Sequence, residues 1–140
     1  MPQSNFVIDL TVGQFKGQAM SLEVRANDCV VYTNTSPDQA KIRLEFDCEL
    51  PAYIEFDVAG KQPFDTLVDA AGNIVEDKFV RVDRIILDRM PIEYWIVESK
   101  LIDFYEQKTN YFYKNGLGTI NIPNRDSFEF FLDLMTKIDQ

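Results

Sequence analysis

The chain has 140 residues, is 46% hydrophobic and 26% charged, carries a net charge of −9 and contains no histidine. That is the composition of one ordinary soluble domain, 1–140, large enough to bury roughly two-thirds of its unfolded surface without a metal or disulfide. Its acidity disfavours nucleic-acid phosphates and anionic membranes as partners. The lack of histidine removes the commonest general base, the Ser-His and Cys-His nucleophile pairs and the commonest zinc ligand.

The N-terminus, Met1-Pro2-Gln3-Ser4-Asn5, lacks a basic region followed by an apolar stretch, so no signal peptide is expected and the chain reads as made inside a cell. No apolar run is long enough to span a membrane. Phe6, Ile8, Leu10 and Val12 alternate with Val7, Asp9 and Thr11 and predict a first strand. A turn over 13–17 leads to a second strand marked by Met20, Leu22 and Val24. Asn27-Asp28 supplies turn chemistry before a third strand over 29–33, and Asn34 to Gln39 forms a loop.

From Ile42 to Val58 every even-numbered residue is apolar: Ile42, Leu44, Phe46, Cys48, Leu50, Ala52, Ile54, Phe56 and Val58. A strict period of two means an extended chain with one face in a core and one in water, as in antiparallel sheets. The run is too long for one ordinary strand, and Pro51 lacks an N–H, so a break is expected there. A hairpin with a two-residue loop would turn Ile54 and Phe56 away from Leu44 and Phe46. A three-residue loop at Glu49-Leu50-Pro51, or a strand bent at Pro51, keeps the apolar set on one face; the odd-length hairpin is the preferred expectation. The opposite face is rich in Glu and Asp and carries Tyr53 as its only aromatic, so a ligand site is expected elsewhere, after residue 90. Cys29 and Cys48 match no metal spacing and read as two buried thiols, with a cross-strand disulfide as the alternative.

Segments over 64–68 and 74–76 flank a turn containing Gly72-Asn73. Val80 and Val82 point one way and Ile85 and Leu87 the other, which predicts a bulge near Asp83-Arg84. Less regular apolar segments follow over 92–97 and 101–105. Asn115-Gly116 predicts a type I′ hairpin joining Tyr111–Tyr113 to Gly118–Ile120. Finally the period changes: Phe128, Phe131, Leu132, Met135 and Ile138 predict an amphipathic helix over 126–138, with Asp126 and Glu129 as a capping box. Many short strands with regular turns, then one helix, predict a mostly β fold: an antiparallel β-sandwich, jelly-roll-like, with the C-terminal helix packed on it.

Chemistry-bearing constellations are few. Asp65, Asp69, Asp77 and Asp83 could line one end of a sandwich and hold calcium, but the EF-hand spacing is absent, and the simpler reading is a solvated acidic surface with no cofactor. There is no Walker A loop, G-x-S-x-G elbow or G-x-G-x-x-G, so an enzyme is not expected. Tyr94, Trp95, Tyr105, Tyr111, Phe112 and Tyr113 form the most suggestive group. Such rings either fill a core or form a face that packs against the C–H faces of sugars. Of these, Tyr94, Trp95, Tyr111, Phe112 and Tyr113 are the ligand-binding candidates.

The order of elements, and the stretch Phe79-Val80-Arg81-Val82-Asp83-Arg84-Ile85-Ile86-Leu87-Asp88, resembles carbohydrate-binding modules of the jelly-roll type. The resemblance implies a non-enzymatic module whose partner is a glycan. The alternative is a structural or assembly protein, such as a virion or appendage component, using edge strands and the terminal helix to contact a protein partner or form a homo-oligomer.

Overall fold

The computed structural model describes residues 3–34, 41–62, 64–91, 103–104 and 107–122; the predicted helix over 126–138, Tyr94, Trp95 and Tyr105 lie outside the described residues. The described chain is built of antiparallel strands in two main sheets. In the first, β1 (Ser4–Phe15) is central. It pairs with β5 (Lys41–Cys48) on one side and β9 (Phe79–Leu87) on the other, and its last residues pair with β2 (Gln18–Ala19). β10 (Met90–Pro91) and β13 (Tyr111–Phe112) both pair with β9. The second sheet runs β12 (Gln107–Lys108), β11 (Asp103–Phe104), β14 (Gly116–Ile122), β6 (Ala52–Ala59), β3 (Ser21–Ala26) and β4 (Cys29–Asn34). A separate hairpin joins β7 (Thr66–Val68) to β8 (Ile74–Asp77).

Alternation decides which side chains the sheets bury. Phe6, Ile8, Leu10 and Val12 of β1 meet Leu22 and Val24 of β3 and Ile54, Phe56 and Val58 of β6 in one core. Each side chain of this size stabilises by roughly 1.5–3 kcal/mol on burial, and together they hold the sheets face to face. The parity switch in β9 is a bulge: Asp9 lies opposite Arg84 but Leu10 opposite Val82, leaving Asp83 as the extra residue. Val80, Val82, Ile85 and Leu87 all point inward as a result.

The long alternating run does not form the expected hairpin. Its halves are β5 and β6, which lie in different sheets. The three-residue connection at Glu49–Pro51 is a corner that carries the chain from one layer to the other, with a cis Leu50–Pro51 bond. Even-numbered residues face inward on both strands because the two sheets face each other across one core. Asn27 secures the corner: its amide donates to the Glu49 carbonyl at 3.2 Å and accepts from the Tyr53 N–H at 2.8 Å.

The Asn115-Gly116 expectation fails in the same way. β13 belongs to the first sheet and β14 to the second, so Tyr111 pairs with Arg81, whereas Ile120 pairs with Ile54. The Asn115 side chain instead clamps the 60–62 segment, accepting from Lys61 N at 2.9 Å and donating to Lys61 O at 3.0 Å. The cysteine expectation is half corrected. Both thiols are free; Cys48 is buried, which pushes its thiol pKa up, but Cys29 stands exposed on β4.

Candidate functional site: the outer face of the first sheet

Strand register assembles the site. On β1 the outward residues Asp9 and Thr11 form a central column. Asp9 lies between Arg43 on β5 and Arg84 on β9, and Thr11 lies between Lys41 and Arg81. Tyr111 on β13 follows Arg81 in the same row. The row Lys41–Thr11–Arg81–Tyr111 thus crosses four strands, about 14 Å at the usual strand spacing. Asp9, Thr11, Lys41, Arg43, Arg81, Asp83 and Arg84 line a groove of about 500 Å³.

Hydrogen bonds fix its polar groups. Arg43 grips Asp9 with two parallel bonds, Nε to Oδ1 at 2.7 Å and a terminal nitrogen to Oδ2 at 3.0 Å. This fork, with the nearby positive charges of Arg84 and Lys41, holds the Asp9 carboxyl below the usual carboxylate range. Arg81 Nε donates to Asp83 Oδ1 at 2.6 Å, and the Thr11 hydroxyl donates to the other Asp83 oxygen.

An aromatic strip continues from the groove. Phe79 and Tyr111 stack with centroids 5.0 Å apart, and Tyr111 and Tyr113 stack at 6.2 Å. Phe79 can lie flat against the sheet because Gly13, its partner on β1, has no side chain; a methyl there would overlap the ring and the Asp77 carbonyl. Burial pushes the Tyr111 hydroxyl pKa up, with Asp77 adding to the shift. Tyr113 is 36% exposed and has the Lys114 ammonium 5.6 Å from its ring centroid. Beyond it a second hollow of about 510 Å³ is lined by Lys61, Gln62, Tyr113, Lys114 and Asn115.

The sequence-derived candidates separate on this frame. Tyr111 and Tyr113 meet on the outer face. Phe112, between them, does not join them: alternation sends its ring into the core, fully buried 5.7 Å from Phe56 and over Gly118. It is a packing residue, which corrects its place among the ligand-binding candidates. Tyr94 and Trp95 lie outside the described residues.

Each of the four candidate carboxylates has partners of its own. Asp65 bonds Lys78 at 2.8 Å and Asp77 bonds Lys61 at 2.7 Å, while Asp83 serves Arg81. Asp69 accepts the N–H groups of Ala71 and Asn73 within its own turn, which lowers its pKa. Calcium takes six to eight converging oxygens. Among the described residues no three acidic, cysteine or histidine side chains gather to offer them.

Sequence reasoning missed the basic half of the groove, setting aside the outward face of β5 as acidic. Its first two residues, Lys41 and Arg43, belong to the groove, and only Glu45 and Asp47 continue as an acidic end, where Asn5 bridges them. The available signal was the placing of Lys41, Arg43, Arg81 and Arg84 at outward strand positions of a chain with few basic residues.

Comparison with known proteins adds a fold relative. No family model matches the chain, and no curated protein matches it in sequence. A solved structure of vCBM60, from a study of circular permutation linking two families of calcium-dependent carbohydrate-binding modules, superposes with a TM-score of 0.52. The match covers 85% of this chain and 92% of that one at 13% identity. The chain resembles a carbohydrate-binding module in fold. At that identity the likeness concerns the arrangement of strands and transfers no binding residue.

Proposed function

We propose that the protein is a non-enzymatic glycan-binding module, with the outer face of the first sheet as its binding surface. The observation that carries this reading is the continuous strip Phe79–Tyr111–Tyr113 running out of a groove already lined with fixed hydrogen-bonding groups. Aromatic faces accept the C–H faces of sugar rings, while carboxylates, guanidinium groups and a hydroxyl nearby bond sugar hydroxyls. The likeness in fold to a carbohydrate-binding module supports the same reading. On the sequence argument alone, Tyr94 and Trp95 join the ligand set.

A binding rather than hydrolytic role suits the groove's two carboxylates. Glycoside hydrolysis needs one carboxyl group protonated as a general acid. Asp9 is held ionised by the Arg43 fork, and Asp83 is occupied by Arg81 and Thr11. Because recognition rests on these side chains, binding is expected to persist in excess chelator.

The test is affinity electrophoresis and calorimetry against a panel of polysaccharides. At least one is expected to be retained, with Tyr113→Ala weakening binding about tenfold, or roughly 1.4 kcal/mol. Retention of no polysaccharide, or undiminished binding by a Tyr111→Ala/Tyr113→Ala double variant, overturns the proposal.

A further inference from the structure

We propose that the glycan is anionic, its carboxylate or sulfate groups taken by a basic track that lies on either side of the aromatic strip; the inference rests on the glycan-binding reading above. The two hollows are lined by six basic residues, Lys41, Arg43, Lys61, Arg81, Arg84 and Lys114, and by two acidic ones, Asp9 and Asp83, while a third carboxylate, Asp77, pairs with Lys61. The whole chain has the opposite balance, 14 basic to 23 acidic. Nearly half of its positive charge is therefore gathered along one track.

The opposite face shows the contrast. On the outside of the second sheet Arg25 is surrounded by Glu23, Glu55 and Asp57, so its charge is answered there. In the groove the ratio is inverted. Asp9 has Arg43 on one side and Arg84 on the other, and Lys41 faces Thr11, an uncharged neighbour across the strands. The Arg43–Asp9 and Arg81–Asp83 bonds keep two planar guanidinium groups fixed at the groove surface, which lowers the ordering cost of binding a ligand anion. In the second hollow the Lys61 ammonium is held between Asp77 and the Tyr113 carbonyl, both at 2.7 Å, and Lys114 leans over the Tyr113 ring.

A positive track can take several polyanions, and the rest of the molecule narrows the choice. The aromatic strip between the two hollows calls for a ligand that alternates apolar faces with charge. A sugar chain bearing acidic groups has both.

The experiment is a calorimetric titration of four probes of equal length: a uronate oligosaccharide, a sulfated oligosaccharide, a neutral oligosaccharide and an oligothymidylate. The uronate or the sulfated chain is expected to bind at least tenfold more tightly than the neutral one, and which of them does so identifies the anion. The affinity should fall as salt rises. Lys41→Gln and Arg84→Gln, with circular dichroism confirming the fold, should each weaken that binding several-fold.

Preference for the neutral chain, lost on Tyr113→Ala, would overturn the anionic inference and leave the glycan module standing. Equal binding of oligothymidylate would overturn it as generic polyanion attraction. No binding by any oligosaccharide would overturn both.

Discussion

Single atoms decide where the aromatic strip lies. Gly13 is the one position on β1 where the sheet surface is bare enough for the Phe79 ring to lie across it. Substituting Gly13→Ala forces the ring or the β8–β9 junction to move. We expect a loss of about 1–3 kcal/mol in urea unfolding, as for other overpacked sites, and weakened ligand binding because Tyr111 loses its stack on Phe79. Unchanged stability and binding would show that the ring has another resting place. This contact was not legible in the sequence, where Gly13 looked like a turn residue. Asn27, read as a turn residue from its chemistry, holds that place with φ at 48° and also ties down a corner.

At the scale of elements, β13 and the residue that follows it show what alternation does. Tyr111 and Tyr113 face outward and Phe112 inward. Phe112→Ala should therefore cost about 3–5 kcal/mol, the usual penalty for emptying a core aromatic site, whereas Tyr113→Ala should cost about 1 kcal/mol or less. Thermal melts of the two variants make the comparison, and equal losses would contradict the assignment of faces. The sequence showed that the three residues alternate. It did not show which parity was inward, because Tyr and Phe are both large enough to fill a core. The bulge at Asp83 was legible because a switch of apolar parity inside one strand has few other causes. The corners at Glu49–Pro51 and around Asn115 were not, because turn-forming residues look the same whether the chain folds back on its own sheet or crosses to the facing one.

For the whole molecule, the two sheets share one core that contains Cys48, while Cys29 stays at the surface. A thiol reagent should therefore modify one cysteine per folded chain. The second should become reactive only as the sheets part, with a urea midpoint matching that seen by circular dichroism. Early labelling of both would mean that the corner beside Cys48 opens locally.

The sequence by itself determined that the chain forms antiparallel strands with one apolar face, where β9 bulges and that Tyr111 and Tyr113 share a face, because a period of two is written in neighbouring residues. Tertiary structure alone decided which sheet each strand joins. That choice depends on pairing between residues far apart in the chain, and it alone sets Lys41 and Arg43 beside Asp9, Thr11, Arg81 and Tyr111.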